Sequence, residues 1–313
     1  MRSYYFLKNG QSVQRISLEG DPPGRVEELP VAIEPNCKIN VSYNLSGNGL
    51  FPPSIFCHDQ TTGDVFYYYF DDRGQYMKFP VGNIPPVWHL QVFRLYDQSG
   101  ELGGTQIFGH YSLSDPSDPN FGHVRVWNLN TFPSFKDLGN LGGQWEFMLG
   151  DFNGDGIVDI LGRRLFNTPQ GQQGDLGIWF LGFGPDGLRI NEIRSVGNIG
   201  LEWNLQVADM NFDGKADLFG YDAAGNLWTW YYVTDASGVG RFNAGKSYGY
   251  LPDFLHLQVA TLRTNHLDLF GIATNGEVHS WPLKSDGLRD NGANIGGGLG
   301  WVPLGGVPLT RVV

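Results

Sequence analysis

A chain of 313 residues with a formal net charge of −11 and no clustered Lys/Arg run argues against a nucleic-acid backbone as its main partner, because phosphate recognition needs concentrated positive charge. Apolar residues make up 41% of the chain, enough for a sizeable core, and no window nears the roughly 20 consecutive apolar residues of a membrane span. Its 45 glycines and 14% aromatic content suit short strands and tight turns and leave little room for long helices.

Met1 to Lys8 lacks the apolar stretch of roughly 7–15 residues before a small-residue cleavage site that a standard export signal carries, so the expected location is cytoplasmic or reached by non-classical export. Tyr5 to Val13 reads as strand, Asn-Gly turn, strand. A unit then opens at Cys37-Lys38-Ile39-Asn40-Val41 and continues through Ile55-Phe56-Cys57 and Val65 to Tyr69. Clearer copies begin at Trp88-His89-Leu90-Gln91-Val92, Trp145-Glu146-Phe147-Met148-Leu149, Trp203-Asn204-Leu205-Gln206-Val207 and Leu255-His256-Leu257-Gln258-Val259. Each alternates apolar and polar residues, as a half-buried strand does.

A second strand follows in each copy, marked by Ile107-Phe108-Gly109, Ile160-Leu161-Gly162, Leu218-Phe219-Gly220 or Leu269-Phe270-Gly271. An aromatic third strand comes next, as in Val124-Arg125-Val126-Trp127, Leu227-Trp228-Thr229-Trp230 or Val278-His279-Ser280-Trp281. A looser fourth runs into Gly82-Asn83-Ile84, Gly139-Asn140-Leu141 or Gly197-Asn198-Ile199. Four strands per repeat is the content of a propeller blade. The last start, Trp301-Val302-Pro303-Leu304, supplies one strand, and Tyr5 to Val13 matches the second and third strands of the preceding copy.

The expectation is an all-β, six-bladed β-propeller forming a single domain over 1–313, closed by pairing of the N- and C-terminal strands in one blade. Its blades run approximately over 301–313 plus 1–36, 37–87, 88–144, 145–202, 203–254 and 255–300.

Between first and second strands lie Asp151-Phe152-Asn153-Gly154-Asp155-Gly156-Ile157-Val158-Asp159 and Asp209-Met210-Asn211-Phe212-Asp213-Gly214-Lys215-Ala216-Asp217. Both read Asp-x-Asn-x-Asp-Gly-x-x-Asp, which places oxygen donors at alternate positions of a tight loop, as a hard cation requires. The expected Ca2+ ligands are Asp151, Asn153, Asp155, the Ile157 carbonyl and Asp159, and equivalently Asp209, Asn211, Asp213, the Lys215 carbonyl and Asp217. An EF-hand is excluded by the missing Glu at position twelve and by flanking strands in place of helices. Thr261, Arg263 and Asn265 replace ligands in a shortened loop, and the loops near Asn44, Asp97 and Val307 lack the pattern, so no calcium is expected there.

With these loops and the Phe-Gly element, the chain resembles the FG-GAP or VCBS repeat family of calcium-bearing propellers, found in integrin α-subunits and in many lectins and polysaccharide-active proteins. The resemblance implies that calcium is structural, stitching strands together. Propeller ligands usually sit where first strands begin. That face is expected to hold Lys38, His89, Glu146, Asn204 and His256, with Gln91, Met148, Gln206 and Gln258 two residues further on. Either these ring a ligand site or they are the outward members of alternating strands.

The leading expectation is a calcium-stabilised, lectin-like module with a carbohydrate or other small-molecule ligand. One alternative is a lyase- or cyclase-type enzyme using His89, Glu146 and His256 as acid and base, and another is a protein-interaction platform. No nucleophile elbow, zinc-protease or phosphate-loop motif occurs. Trp127, Trp179, Trp228, Trp230 and Trp281 read first as inter-blade core and second as surfaces for sugar rings. Cys37 and Cys57 are expected to be free, because pairing of Cys57 opposite roughly Asn40 separates them, which agrees with a reducing compartment. The sequence does not specify an oligomeric state.

Overall fold

The computed structural model describes residues 4–9, 12–17, 25–42, 54–70, 76–96, 102–111, 118–236, 238–251, 253–263, 266–275, 277–284, 287–288, 293–297 and 302–303. The repeat units become antiparallel sheets of sequential strands. The Trp145 blade is Trp145–Gly150, Asp159–Arg164, Asp175–Gly184 and Gly187–Asn198 in that order. The same order builds the Cys37 blade (Cys37–Ser42, Ser54–Asp59, Asp64–Phe70, Tyr76–Asn83) and the Trp88 blade (Trp88–Tyr96, Leu102–Tyr111, His123–Asn128, Phe135–Asn140). It recurs in the Trp203 blade (Trp203–Ala208, Asp217–Asp222, Asn226–Trp230, Lys246–Tyr250) and the Phe254 blade (Phe254–Arg263, His266–Ala273, Glu277–Lys284, Ala293–Gly297). Val302–Pro303 pairs with Tyr4–Asn9, which continues into Ser12–Ser17 and Arg25–Ala32.

First strands of successive blades lie against one another. The Gln91 amide donates to the Phe147 carbonyl at 2.9 Å, and the Gln206 amide donates to Leu257 O while accepting from Val259 N–H at 2.8 Å. This is a β-propeller with small antiparallel blades. Its apolar cores lie between blades: Phe108 and Val126 of one pack with Phe147, Ile160 and Trp179 of the next. Leu161, Ile178 and Phe180 likewise pack with Leu218 and Tyr232.

The recurring Phe-Gly element has a steric cause. In the Trp145 blade, Trp145 and Trp179 meet at right angles with centroids 5.2 Å apart, and both indoles lean over Gly162. A Cβ at Gly162 would stand 2.7 Å from the Trp179 ring and 3.0 Å from that of Trp145. Trp88 with Trp127, Trp203 with Trp230, and Phe254 with Trp281 repeat the edge-on pair. Gly162→Ala is therefore expected to destabilise the fold by about 1–3 kcal/mol, the usual cost of overpacking a filled core. Urea denaturation measures it, and an unchanged midpoint would refute the packing argument.

The Gly-Asn-Ile element ending the fourth strand is a β-bulge. Gly197 has φ +132°, and the register slips beside it, between Leu176 and Gly177. A side chain there would be strained, although nothing lies within 4 Å of its Cβ position. Asn198 then donates to Gln173 O at 2.9 Å, and Ile199 is buried at the blade junction. Asn83 and Asn140 make the equivalent bonds to Thr62 O and Phe121 O.

One expectation is overturned. Cys37 and Cys57 form a disulfide, with Cα atoms 5.4 Å apart. Cys57 stands opposite Ile39, one residue from the expected Asn40, and Cys37 opposite Asp59. A one-residue change of register moves a side chain to the other face, so the two sulfurs share a face instead of being divided by the sheet. The argument for a reducing compartment falls with it. The pair occupies the places of Trp145 and Gly162 in the repeat, the positions that touch in that blade.

Candidate functional site

Two regions combine polar side chains in repeated positions. The first is the face where the first strands begin. Strand pairing sets Lys38 opposite His58, His89 opposite His110, Glu146 opposite Arg163, Asn204 opposite Tyr221 and His256 opposite Ile272. Lys38, His89, Glu146, Asn204 and His256 are all exposed, as the alternation predicts. Their second-strand partners His58, His110 and Arg163 are buried; the two histidines bond the closing segment of their own blades, and Arg163 reaches into the next blade. His58 Nε2 meets Ile84 O at 2.8 Å, His110 bonds the Gly142 backbone, and Arg163 donates to Gly200 O and Trp203 O.

Arg163 also grips Glu146 at 2.6 Å, so this carboxylate is ion-paired. Among the described residues no hydrogen bond or ion pair joins His89, Glu146 and His256. Gln91 and Gln206 are engaged in the inter-blade bonds described above, while Met148 and Gln258 are half-buried. Burial lowers the pKa of Lys38, His58 and His89, and that of His110 to about 4, with like charges of Lys38, His58 and His89 adding to the effect on the histidines. The buried His58, His110 and Arg163 were missed in the sequence reading. Their signal is positional, since each directly follows the Gly, or Cys57, of the second strand.

The second region holds the two Asp-rich loops. Asp151 accepts from the N–H groups of Gly154 (2.7 Å) and Gly156 (2.8 Å), and Asp155 from that of Ile157 (2.8 Å). Asp159 is fully buried and clamps two elements, accepting from Phe152 N–H (3.0 Å) and from Leu181 N–H of the third strand (2.9 Å). Asp217 repeats the clamp on Met210 (3.0 Å) and Tyr232 (2.7 Å). Burial raises the Asp159 carboxyl to about 8 and that of Asp217 to about 7, with the neighbouring loop aspartates adding to the rise.

Among the described residues, the acidic oxygens of neither loop gather as a trio within 4.8 Å; Glu34, Cys37 and Cys57 form such a trio, but its sulfurs are bonded to each other. Asn153, Asp155, Asn211 and Asp213 are exposed, and Ile157 and Lys215 half-buried. Thr261 pairs with Leu267 and Arg263 with His266, so in the Phe254 blade strand pairing extends into the positions that carry the Asp-rich loop elsewhere. Asn44, Asp97, Asn265, Trp301 and Val307 lie outside the described residues.

Beside the 151–159 loop opens a cavity of ≈ 260 Å³ lined by Asn153, Asp155, Phe180, Asn191, Glu192 and Arg194. The Arg194 guanidinium lies 5.1 Å from the centroid of Phe180, bonds Glu192, and reaches the Tyr232 hydroxyl of the next blade at 3.3 Å. Of the third-strand tryptophans, Trp127, Trp179 and Trp281 are buried core, and Trp228 and Trp230 are half-buried.

No family model matches the chain, and no curated protein does. Solved structures do match its fold. AofleA from Arthrobotrys oligospora is 8% identical with a TM-score of 0.56, over 98% of this chain and 89% of that one. The lectin of Aleuria aurantia, described as a six-bladed β-propeller with a novel mode of fucose recognition, is 11% identical with a TM-score of 0.54, over 96% and 98%. A variant of that lectin in complex with Fucα1-6GlcNAc gives 13% and 0.55, over 96% and 90%.

Proposed function

We propose that this chain is a carbohydrate-binding, lectin-like module, a six-bladed single-domain propeller whose ring closes through Val302–Pro303 on Tyr4–Asn9. The observation that carries the reading is the cavity at Asn191, Glu192 and Arg194. It offers amides, carboxylates and a guanidinium, which suit paired sugar hydroxyls, around the aromatic Phe180. Its ≈ 260 Å³ falls below the roughly 300–1,000 Å³ of sites for drug-sized ligands and suits a single sugar ring. The fucose recognition described for the fold neighbours supports the same class of ligand.

Calcium is proposed as a structural ion of the two loops, read as FG-GAP/VCBS-type. Their donors fit a hard cation by chemistry: carboxylates, a side-chain amide and a carbonyl, with a buried aspartate at the ninth position. A divalent ion would offset the mutual repulsion of Asp151, Asp155 and Asp159.

Screening on a broad glycan array in calcium, followed by titration of the best ligand into the wild type and Arg194→Ala, tests the binding role. Expected are a monosaccharide-level determinant and at least about a tenfold weakening in the variant, the loss of one charge-assisted hydrogen bond. An array without any binding would overturn the carbohydrate reading, and undiminished affinity in Arg194→Ala would move the site elsewhere.

A further inference from the structure

The Cys37 blade departs from its neighbours at four places that meet in space. By strand pairing, Cys37, Cys57 and Tyr68 stand where the Trp145 blade has Trp145, Gly162 and Trp179, the two packed indoles and the glycine beneath them. Glu34 fills the turn whose carbonyl accepts the Cys37 N–H, a place held by Pro85 before Trp88 and by Gly200 before Trp203. The two cysteines of the chain and a carboxylate thus replace a packing arrangement of aromatic rings and glycine.

Geometry joins them. A Glu34 carboxylate oxygen and both sulfurs all lie within 4.8 Å of one another, with Glu34 Oε2 3.9 Å from Cys37 Sγ. The Tyr68 hydroxyl donates to that same oxygen at 2.6 Å, and Lys78 pairs with Oε1, its ammonium 3.7 Å from the centroid of the Phe66 ring. Both sulfurs are buried among Ile33, Ile55 and Phe66, whereas the Glu34 side chain is 35% exposed. While the sulfurs are bonded to each other neither carries a proton to donate, so the carboxylate gains no hydrogen bond from the pair it faces.

We propose that reduction of the Cys37–Cys57 bond opens a site for a thiophilic divalent cation, Zn2+ first, held by the two thiolates and the Glu34 carboxylate. The reduction is a two-electron exchange: a dithiol breaks the S–S bond, becomes a disulfide itself and leaves a thiol on each cysteine. The cation then displaces both thiol protons to solvent. Two sulfur donors and one carboxylate oxygen suit zinc, and three protein ligands leave its fourth position to water. Two thiolates, a carboxylate and Zn2+ carry one net negative charge, which Lys78 offsets, while the Tyr68 hydroxyl orients the ligand carboxylate as outer partners of metal ligands do. The site shares no residue with the Arg194 cavity and does not depend on the reading of that cavity.

The experiment reduces the folded chain with a trialkylphosphine, which ends as its oxide and adds no competing thiol, and then titrates Co2+ with Zn2+ as competitor. Sulfur-to-cobalt absorption is the readout, since the all-oxygen Asp-rich loops cannot give it. Expected are two titratable thiols after reduction, one Co2+ bound per chain with sulfur absorption that Zn2+ abolishes, and no such band in the oxidised protein. Cys57→Ser should lose the band, and Glu34→Gln should bind at least about tenfold more weakly. Glu34→Gln keeps both cysteines, and circular dichroism compares every form with the oxidised wild type. A bond that resists reduction in the folded chain, unfolding on reduction, free thiols without a cobalt band, a band that survives Cys57→Ser, or full affinity in Glu34→Gln would each overturn the proposal.

Discussion

Asp159→Ala is expected to destabilise the protein by about 2–6 kcal/mol, because it strips the acceptor from two buried backbone donors at once, each worth about 1–3 kcal/mol when orphaned. The donors are the Phe152 and Leu181 N–H groups, and through them the aspartate fastens the loop to the third strand of its own blade. Asp155→Ala is the contrasting variant. Its carboxylate is exposed and accepts locally from Ile157, so in chelator its stability should stay within about 1 kcal/mol of wild type.

Calcium separates the two roles. With free calcium at about 100 times its Kd the wild type should gain about 2.7 kcal/mol, and Asp155→Ala should lose most of that gain. Denaturant midpoints with calcium and with chelator measure all four quantities. A calcium response undiminished in Asp155→Ala would remove the ion from this loop, whereas an intact midpoint for Asp159→Ala would remove the clamp.

Acid is expected to unfold the protein through its buried histidines. His110 titrates at about 4 in the fold against an ordinary 6.5, because burial and the neighbouring His89 disfavour its charged form. The unfolded chain therefore takes up a proton that the native chain refuses. Stability is fully present above about pH 6.5 and is lost as the pH falls toward 4, by on the order of 3 kcal/mol from this residue. His58 acts in the same direction. Urea midpoints followed from neutral pH to about pH 4 in buffers free of phosphate and carboxylate should decline, and His110→Gln should flatten the curve. A decline equally steep in the variant would show that other groups set the acid limit.

The disulfide shows how far a repeat can be read. The alignment placing Cys37 with Trp145 and Cys57 with Gly162 was already in the sequence, and in that blade the two positions touch. What failed was the pairing register, because a shift of one residue exchanges the two faces of a strand and strand order alone does not fix it. The histidines behind Lys38 and His89 were hidden for a related reason, since an isolated polar residue in the second strand gives no hint of which distant carbonyl it meets.

By itself the sequence determined the strand order, the repeat, the Gly-Asn elements that end the fourth strands and the Asp-rich loops, because these rest on local periodicity and turn chemistry that each segment carries within itself. Tertiary structure alone decided which side chains meet. It set the Cys37–Cys57 bond, the tie from Arg163 to the Trp203 blade, the Asp159 clamp and the cavity at Arg194, since all of these depend on register and on contacts between segments far apart in the chain.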